Sequence, residues 1–137
     1  SDNVANLILT GFGTISGTGN KLSNVILGND ADNVLWVWRG NDHLVGGGGD
    51  DLLTGGAGID TFVFGTLSGH DVITDFAGSA ERHDVLRILA GPASFAEVER
   101  VTHAVGADLV IELTPHDTIT LKNVQMGNLI SSFFEFG

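Results

Sequence analysis

From Gly19 the sequence repeats itself every nine residues. Gly19–Leu27, Gly28–Trp36, Val37–Val45, Gly46–Thr54 and Gly55–Val63 follow one another without insertion. The sixth place of the frame holds Asn24, Asn33, Asp42, Asp51 and Asp60, and the eighth holds Ile26, Leu35, Leu44, Leu53 and Phe62. One column is oxygen and the other is apolar. The fourth place holds Leu22, Ala31, Gly40, Gly49 and Gly58, so Gly-x-Asp is complete only in the last three frames. A fixed short period with one apolar column predicts a solenoid, in which each repeat buries its residue only by stacking on its neighbours.

Composition narrows the functions open to such a solenoid. The 137 residues suffice for one domain with a modest core. With 17 acids against 6 Lys and Arg, the net charge of -11 repels phosphate backbones and anionic lipid surfaces, which excludes nucleic-acid binding. Disordered acidic chains are poor in apolar residues, whereas 42% of this one is apolar. Twenty glycines beside two prolines call for many turns, and the absence of cysteine removes disulfides and thiolate metal sites. No apolar run approaches the ~20 residues of a membrane span. Ser1-Asp2-Asn3 has neither an initiator Met nor a cationic leader, so the chain is expected to be a fragment.

The glycine-rich frames resemble the repeats-in-toxin (RTX) family, whose motif is GGxGxDxUx with U a large apolar residue. Gly46–Leu53 and Gly55–Phe62 match every fixed position, and Gly40-Asn41-Asp42-His43-Leu44 matches the second half. Asn6–Gly11 and Gly17–Asn20 look like lead-in rungs, while Asp71–Phe76 and Asp84-Val85-Leu86 look like the exit. The resemblance implies an all-β chain: a right-handed parallel β-roll over 1–76 and a C-terminal antiparallel β cap over 77–137.

In each frame a six-residue turn precedes a three-residue strand whose middle residue points inward, so two frames make one coil. Successive turns fall on opposite edges, and turns one coil apart stack ~4.8 Å from each other. Asp42 then lies against Asp60 with Asn24 on its other side, while Asn33 and Asp51 share the second edge. Facing carboxylates ~5 Å apart repel by roughly 3 kcal/mol at an effective dielectric of 20. Calcium, which takes six to eight oxygens, would relieve this. The expected sites lie between the turns of Asp42 and Asp60, and between that of Asp51 and a segment holding Asp71 and Asp75. The backbone oxygens of Gly40, Gly47, Gly49, Gly56 and Gly58 are the expected neutral ligands. The frames of Asn24 and Asn33 are expected to hold metal weakly or not at all.

The remaining residues offer no catalytic constellation. Trp36 and Trp38 could stack on a sugar ring or partner, or pack on an adjacent rung or the cap. The five histidines are scattered, and identical acids on an exposed edge are not the unequal carboxylate pair that glycosidases need. Glu97–Val105, Asp108–Thr114 and Thr118–Leu121 predict three cap strands, with a short helix starting at Phe95 as an alternative use of Ser94–Val98. The apolar ending Leu129–Gly137 looks like an uncleaved signal for a type I secretion apparatus, or else an edge strand pairing with the cap. The resemblance thus implies a secreted, extracellular, non-enzymatic calcium-binding module from a Gram-negative bacterium, serving an upstream catalytic or adhesive domain of the same chain. The competing reading is a module that binds acidic polysaccharide.

Overall fold

The computed structural model describes residues 5–76 and 83–137. Nine short strands follow the frames and their continuation: β1 (Asn6–Ile8), β2 (Ser16–Thr18), β3 (Val25–Leu27), β4 (Val34–Trp36), β5 (His43–Val45), β6 (Leu52–Thr54), β7 (Thr61–Phe64), β8 (His70–Ile73) and β9 (Val85–Ile88). The α-helix α1 (Phe95–Arg100) leads to β10 (Thr102–Val105), β11 (Asp108–Thr114), β12 (Asp117–Leu121) and the closing β13 (Phe134–Phe136). The first sheet has the order β1-β3-β5-β7-β9-β13 and the second β2-β4-β6-β8-β12-β11-β10. Each coil therefore gives one strand to each sheet, all in parallel, as the predicted roll requires.

A three-residue strand can turn only its middle side chain inward, since alternate residues face opposite ways. In β3 to β6 those residues are Ile26, Leu35, Leu44 and Leu53; Phe62, Ile73 and Leu86 continue the column from the four-residue strands β7, β8 and β9, and all seven are fully buried. Each contributes about 1.5–3 kcal/mol relative to exposure. Register carries the column from coil to coil: Leu44 opposes Phe62 and Leu35 opposes Leu53. Past the exact repeats it survives two longer connections, with Leu53 opposite Ile73 and Phe62 opposite Leu86. Both sheets thus run on beyond residue 76, and the cap residues Ile111, Ile119 and Phe134 belong to the same core.

The cap differs from expectation at its start. Strand β10 begins at Thr102, not at Glu97, because α1 takes the preceding residues. Ser94 Oγ accepts a hydrogen bond from the Glu97 N–H, and Glu97 Oε2 accepts one from the Ala93 N–H, a reciprocal start signal that outweighs the β-like pattern. Strands β10, β11 and β12 are antiparallel, and β12 joins the roll by lying parallel on β8. The closing strand is an edge strand, but it pairs parallel with β9 of the roll and not with the antiparallel cap. Phe133 and Phe134 are buried there, against Phe76 and Phe95 respectively. No described helix is long and apolar enough to cross a membrane.

Candidate metal centre

The sixth residues of the frames form two internal ladders. On one edge, Asp42 Oδ1 accepts from the Asn24 N–H at 2.6 Å, Asp60 Oδ1 from the Asp42 N–H at 2.9 Å, and Asp84 Oδ1 from the Asp60 N–H at 3.0 Å. On the other, Asp51 Oδ1 accepts from the Asn33 N–H at 2.8 Å and Asp71 Oδ1 from the Asp51 N–H at 2.9 Å. The sixth residue lies just before the strand, two places ahead of the inward eighth, and its carboxylate reaches the N–H of the coil before. Asp42, Asp51, Asp60, Asp71 and Asp84 are at most 2% exposed.

Several of these carboxylates are only half satisfied. The second oxygens of Asp42, Asp51 and Asp60 are buried and have no hydrogen-bond partner. Leaving an ionised carboxylate oxygen buried and unpaired is costly, so these acids resist ionisation. Burial pushes Asp51 up to about 6, Asp60 to about 7 and Asp71 to about 8, and raises Asp42 as well, against the pull of the backbone N–H groups. Neighbouring acids push the same way, Asp84 and Asp42 on Asp60 and Asp51 on Asp71.

The glycines open the space around these oxygens. Gly40, Gly47, Gly49, Gly56 and Gly58 all take a left-handed φ. At Gly58, with φ 141°, a Cβ would collide with the Gly40 carbonyl of the coil before; at Gly49, with φ 89°, it would meet the Ala31 carbonyl at 2.9 Å. Backbone carbonyls therefore face the gap between stacked turns, and only glycine can sit opposite them. Among the described residues, no three acid or histidine side chains converge on one point. A cation here would have to draw on carbonyls as well as carboxylates, and an all-oxygen donor set of this kind suits a hard ion such as calcium.

The structure places the predicted residues with two departures from simple spacing. Asp71 meets Asp51 despite a separation of 20 residues, because the turn before β8 absorbs the two extra. Asp75 does not join them: it lies beyond the far end of β8, on the Asp60 edge, where Oδ1 accepts from the Gly55 N–H and Oδ2 from the Gly56 N–H. Trp36 and Trp38 stack on each other with ring centroids 5.9 Å apart, both half-exposed. The turn of Asp42 keeps its form despite Val37 and Trp38, since Gly40 retains a φ of 117°.

Other residues show how the roll closes without an ion. Asn24 Oδ1 accepts from the Asn20 N–H, and its Nδ2 donates to the Ala5 carbonyl and to Asn20 Oδ1. Asn33 repeats this with Asn29 and the Ile15 carbonyl. An amide at the sixth place, with Asn at the second, makes internally the bonds that a lone carboxylate lacks. The spacing Asn-x-x-x-Asn is the signal in the sequence that could have found it. At the C-terminal end Asp117 Oδ1 accepts from the Gly69 N–H and Oδ2 from Thr114 Oγ1. Burial works against the ionised Asp117, yet these bonds outweigh it and lower its pKa.

The RTX calcium-binding nonapeptide repeat, a family defined by four copies, matches this sequence twice, over residues 18–53 and 27–62. Residues 18–62 are RTX calcium-binding repeats. The RTX roll also resembles solved structures. The extracellular lipase LipA from Serratia marcescens is 22% identical with a TM-score of 0.65 over 95% of this chain. This chain spans 21% of that lipase. The AlgE6R3 subunit of the Azotobacter vinelandii mannuronan C5-epimerase is 24% identical with a TM-score of 0.63, covering 89% of this chain and 78% of the subunit. The AlgE6R2 subunit of the same enzyme is 21% identical with a TM-score of 0.58, covering 87% and 91%. These identities bear on the fold alone. No curated protein matches the sequence.

Proposed function

We propose that this chain is a calcium-triggered folding module of a secreted bacterial protein and has no catalytic role of its own. The observation that carries the reading is the set of buried, unpartnered oxygens on Asp42, Asp51 and Asp60. Asp42 and Asp60, with the carbonyls of Gly40, Gly56 and Gly58, would hold calcium on one edge. Asp51 and Asp71, with those of Gly47 and Gly49, would hold it on the other. Bound calcium supplies the positive charge and the oxygen-seeking coordination that these turns lack.

The chain's own residues then act as a switch. Where calcium is scarce the stacked acids disfavour closure, and the open chain can be threaded for export. Where it is plentiful the same acids favour the closed roll, because binding free energy becomes folding free energy, ~4 kcal/mol per site at a thousandfold excess over the dissociation constant. The roll runs on through β9 (Val85–Ile88) and the cap follows it, and the closing strand of the cap would engage a type I secretion apparatus before it docks on β9. Once outside a Gram-negative cell, the closed roll supports the folding of an upstream catalytic or adhesive domain. The likeness to one part of a larger lipase supports that arrangement.

Circular dichroism during calcium titration of the chelated protein tests the switch, with cooperative gain of β structure expected. A chain fully ordered in excess chelator, with no metal by elemental analysis, would refute it. Export of a passenger fused ahead of the chain, compared with a fusion lacking Leu129–Gly137, tests the secretion role.

A further inference from the structure

Leu67 is a bulky residue held in a conformation that suits glycine. Its φ is 59°, and it is 73% exposed. The turn that carries it stacks on turn 46–51, with Asp71 meeting Asp51 and Gly69 lying against the Gly49 carbonyl. Leu67 therefore takes the place that Gly47 takes one coil earlier, where φ is 98°. A left-handed leucine carries backbone strain that glycine would relieve, so an exposed one points to a use for its side chain.

That side chain forms one wall of a groove of about 590 Å³, which Val45, Val63 and the half-exposed Leu89 also line. Val45 and Val63 are consecutive in a row of the first sheet that runs Ile8, Leu27, Val45, Val63 in parallel register. At the ~4.8 Å spacing of paired strands this row is a straight apolar strip about 14 Å long. Arg87, opposed by Glu135, ends it. Along its flank runs the edge of the roll that holds Asp51 and Asp71. Asp30 lines the groove, and Asp32 and Asp50 are exposed farther round that edge, whose turns 10–15, 28–33, 46–51 and 64–69 hold no Lys or Arg. None of these three acids belongs to the buried ladders, so they stay outside the proposed calcium sites.

From the strained leucine, the apolar strip and its acidic rim we infer that this groove docks a basic amphipathic helix of a partner protein. Apolar side chains recur along one face of a helix about every 5.4 Å, so roughly ten residues would follow the strip, with Lys or Arg on the flanking face meeting Asp30 and its edge. A second copy does not supply such a helix, since no described helix or strand of this chain holds two Lys or Arg. The groove exists only in the closed roll, so this docking rests on the proposed calcium switch.

The probe is a labelled Leu and Lys peptide of about 18 residues, long enough to be helical in water, with its leucines on one face. Its fluorescence anisotropy is followed as calcium-loaded protein is added, once circular dichroism has verified closure of the roll. A roll that does not close counts against the switch, whereas closure without binding counts against docking alone. Saturable binding that weakens as salt rises is expected. Leu67→Asn, whose side chain tolerates a left-handed φ, should weaken binding about tenfold with the closed fold retained. Asp30→Asn with Asp32→Asn should weaken it about threefold and flatten the salt dependence. Docking is overturned by no binding, by equal binding of the same residues in scrambled order or of the helix with Glu in place of Lys, or by variants that bind as the parent does. It is equally overturned if sedimentation shows the protein pairing with itself and Leu67→Asn abolishes that pairing, which would mean that a second copy covers the groove.

Discussion

The metal-free chain should gain stability on acidification. In the unfolded state Asp51, Asp60 and Asp71 titrate near 3.8, whereas burial in the roll lifts them to about 6, about 7 and about 8. A carboxyl raised on folding costs nothing while both states are protonated. The cost grows as pH climbs from the unfolded value and is complete above the folded one, so stability is lost as pH rises. Between pH 8 and about pH 5.5 the folded state recovers about 3 kcal/mol at Asp71, about 2 at Asp60 and about 1 at Asp51. Together these approach about 6 kcal/mol, against a typical domain stability of about 5–15 kcal/mol. Urea unfolding followed by circular dichroism in excess chelator should show little cooperative structure at pH 8 and a clear transition near pH 5.5. In saturating calcium the two curves should converge. Equal stability at both pH values in chelator would refute the claim that buried acids are what keep the empty roll open.

Other substitutions probe separate parts of the argument. Asp51→Asn with Asp60→Asn should raise the calcium midpoint at least about tenfold in a circular dichroism titration, since each removes a charged ligand. Gly58→Ala should destabilise the calcium-loaded roll by about 2 kcal/mol or more in thermal melts, because its Cβ meets the Gly40 carbonyl at a positive φ. Asn33→Ala should cost about 1–3 kcal/mol in urea, by stranding the Asn29 N–H and the Ile15 carbonyl, with the calcium stoichiometry unchanged by isothermal titration.

What the sequence made visible was whatever the period repeats. The inward column, the edge on which each sixth residue falls, and the left-handed glycines all follow from nine-residue spacing, because each frame is the same local structure translated by one coil. The period ends at Val63, and with it the legibility. Asp71 and Asp84 continue the ladders at separations of 20 and 24 residues, which only the lengths of the intervening connections decide. Spacing alone puts Asp75 beside Asp71, but strand β8 carries the chain across the roll between them and delivers Asp75 to the other edge. Asp117 reaches Gly69 across 48 residues through a chain reversal that no local pattern announces. The Asn20 and Asn29 partnerships were readable, but an Asn at the second place looks like ordinary turn chemistry until its partner at the sixth is seen to face it.

The internal ladders have a polarity. The backbone N–H groups of Asn24, Asn33, Asp42, Asp51 and Asp60 are each received by a carboxylate that comes later in the chain, and beside the second ladder the Gly69 N–H is received by Asp117 of the cap. Removing coils from the front deletes donors and leaves acceptor oxygens at an open end that water can reach. Removing the cap deletes an acceptor and strands an N–H against a packed layer. Such a roll can be shortened or extended at its beginning, as a column can be given more drums on top, but it must stand on its C-terminal base.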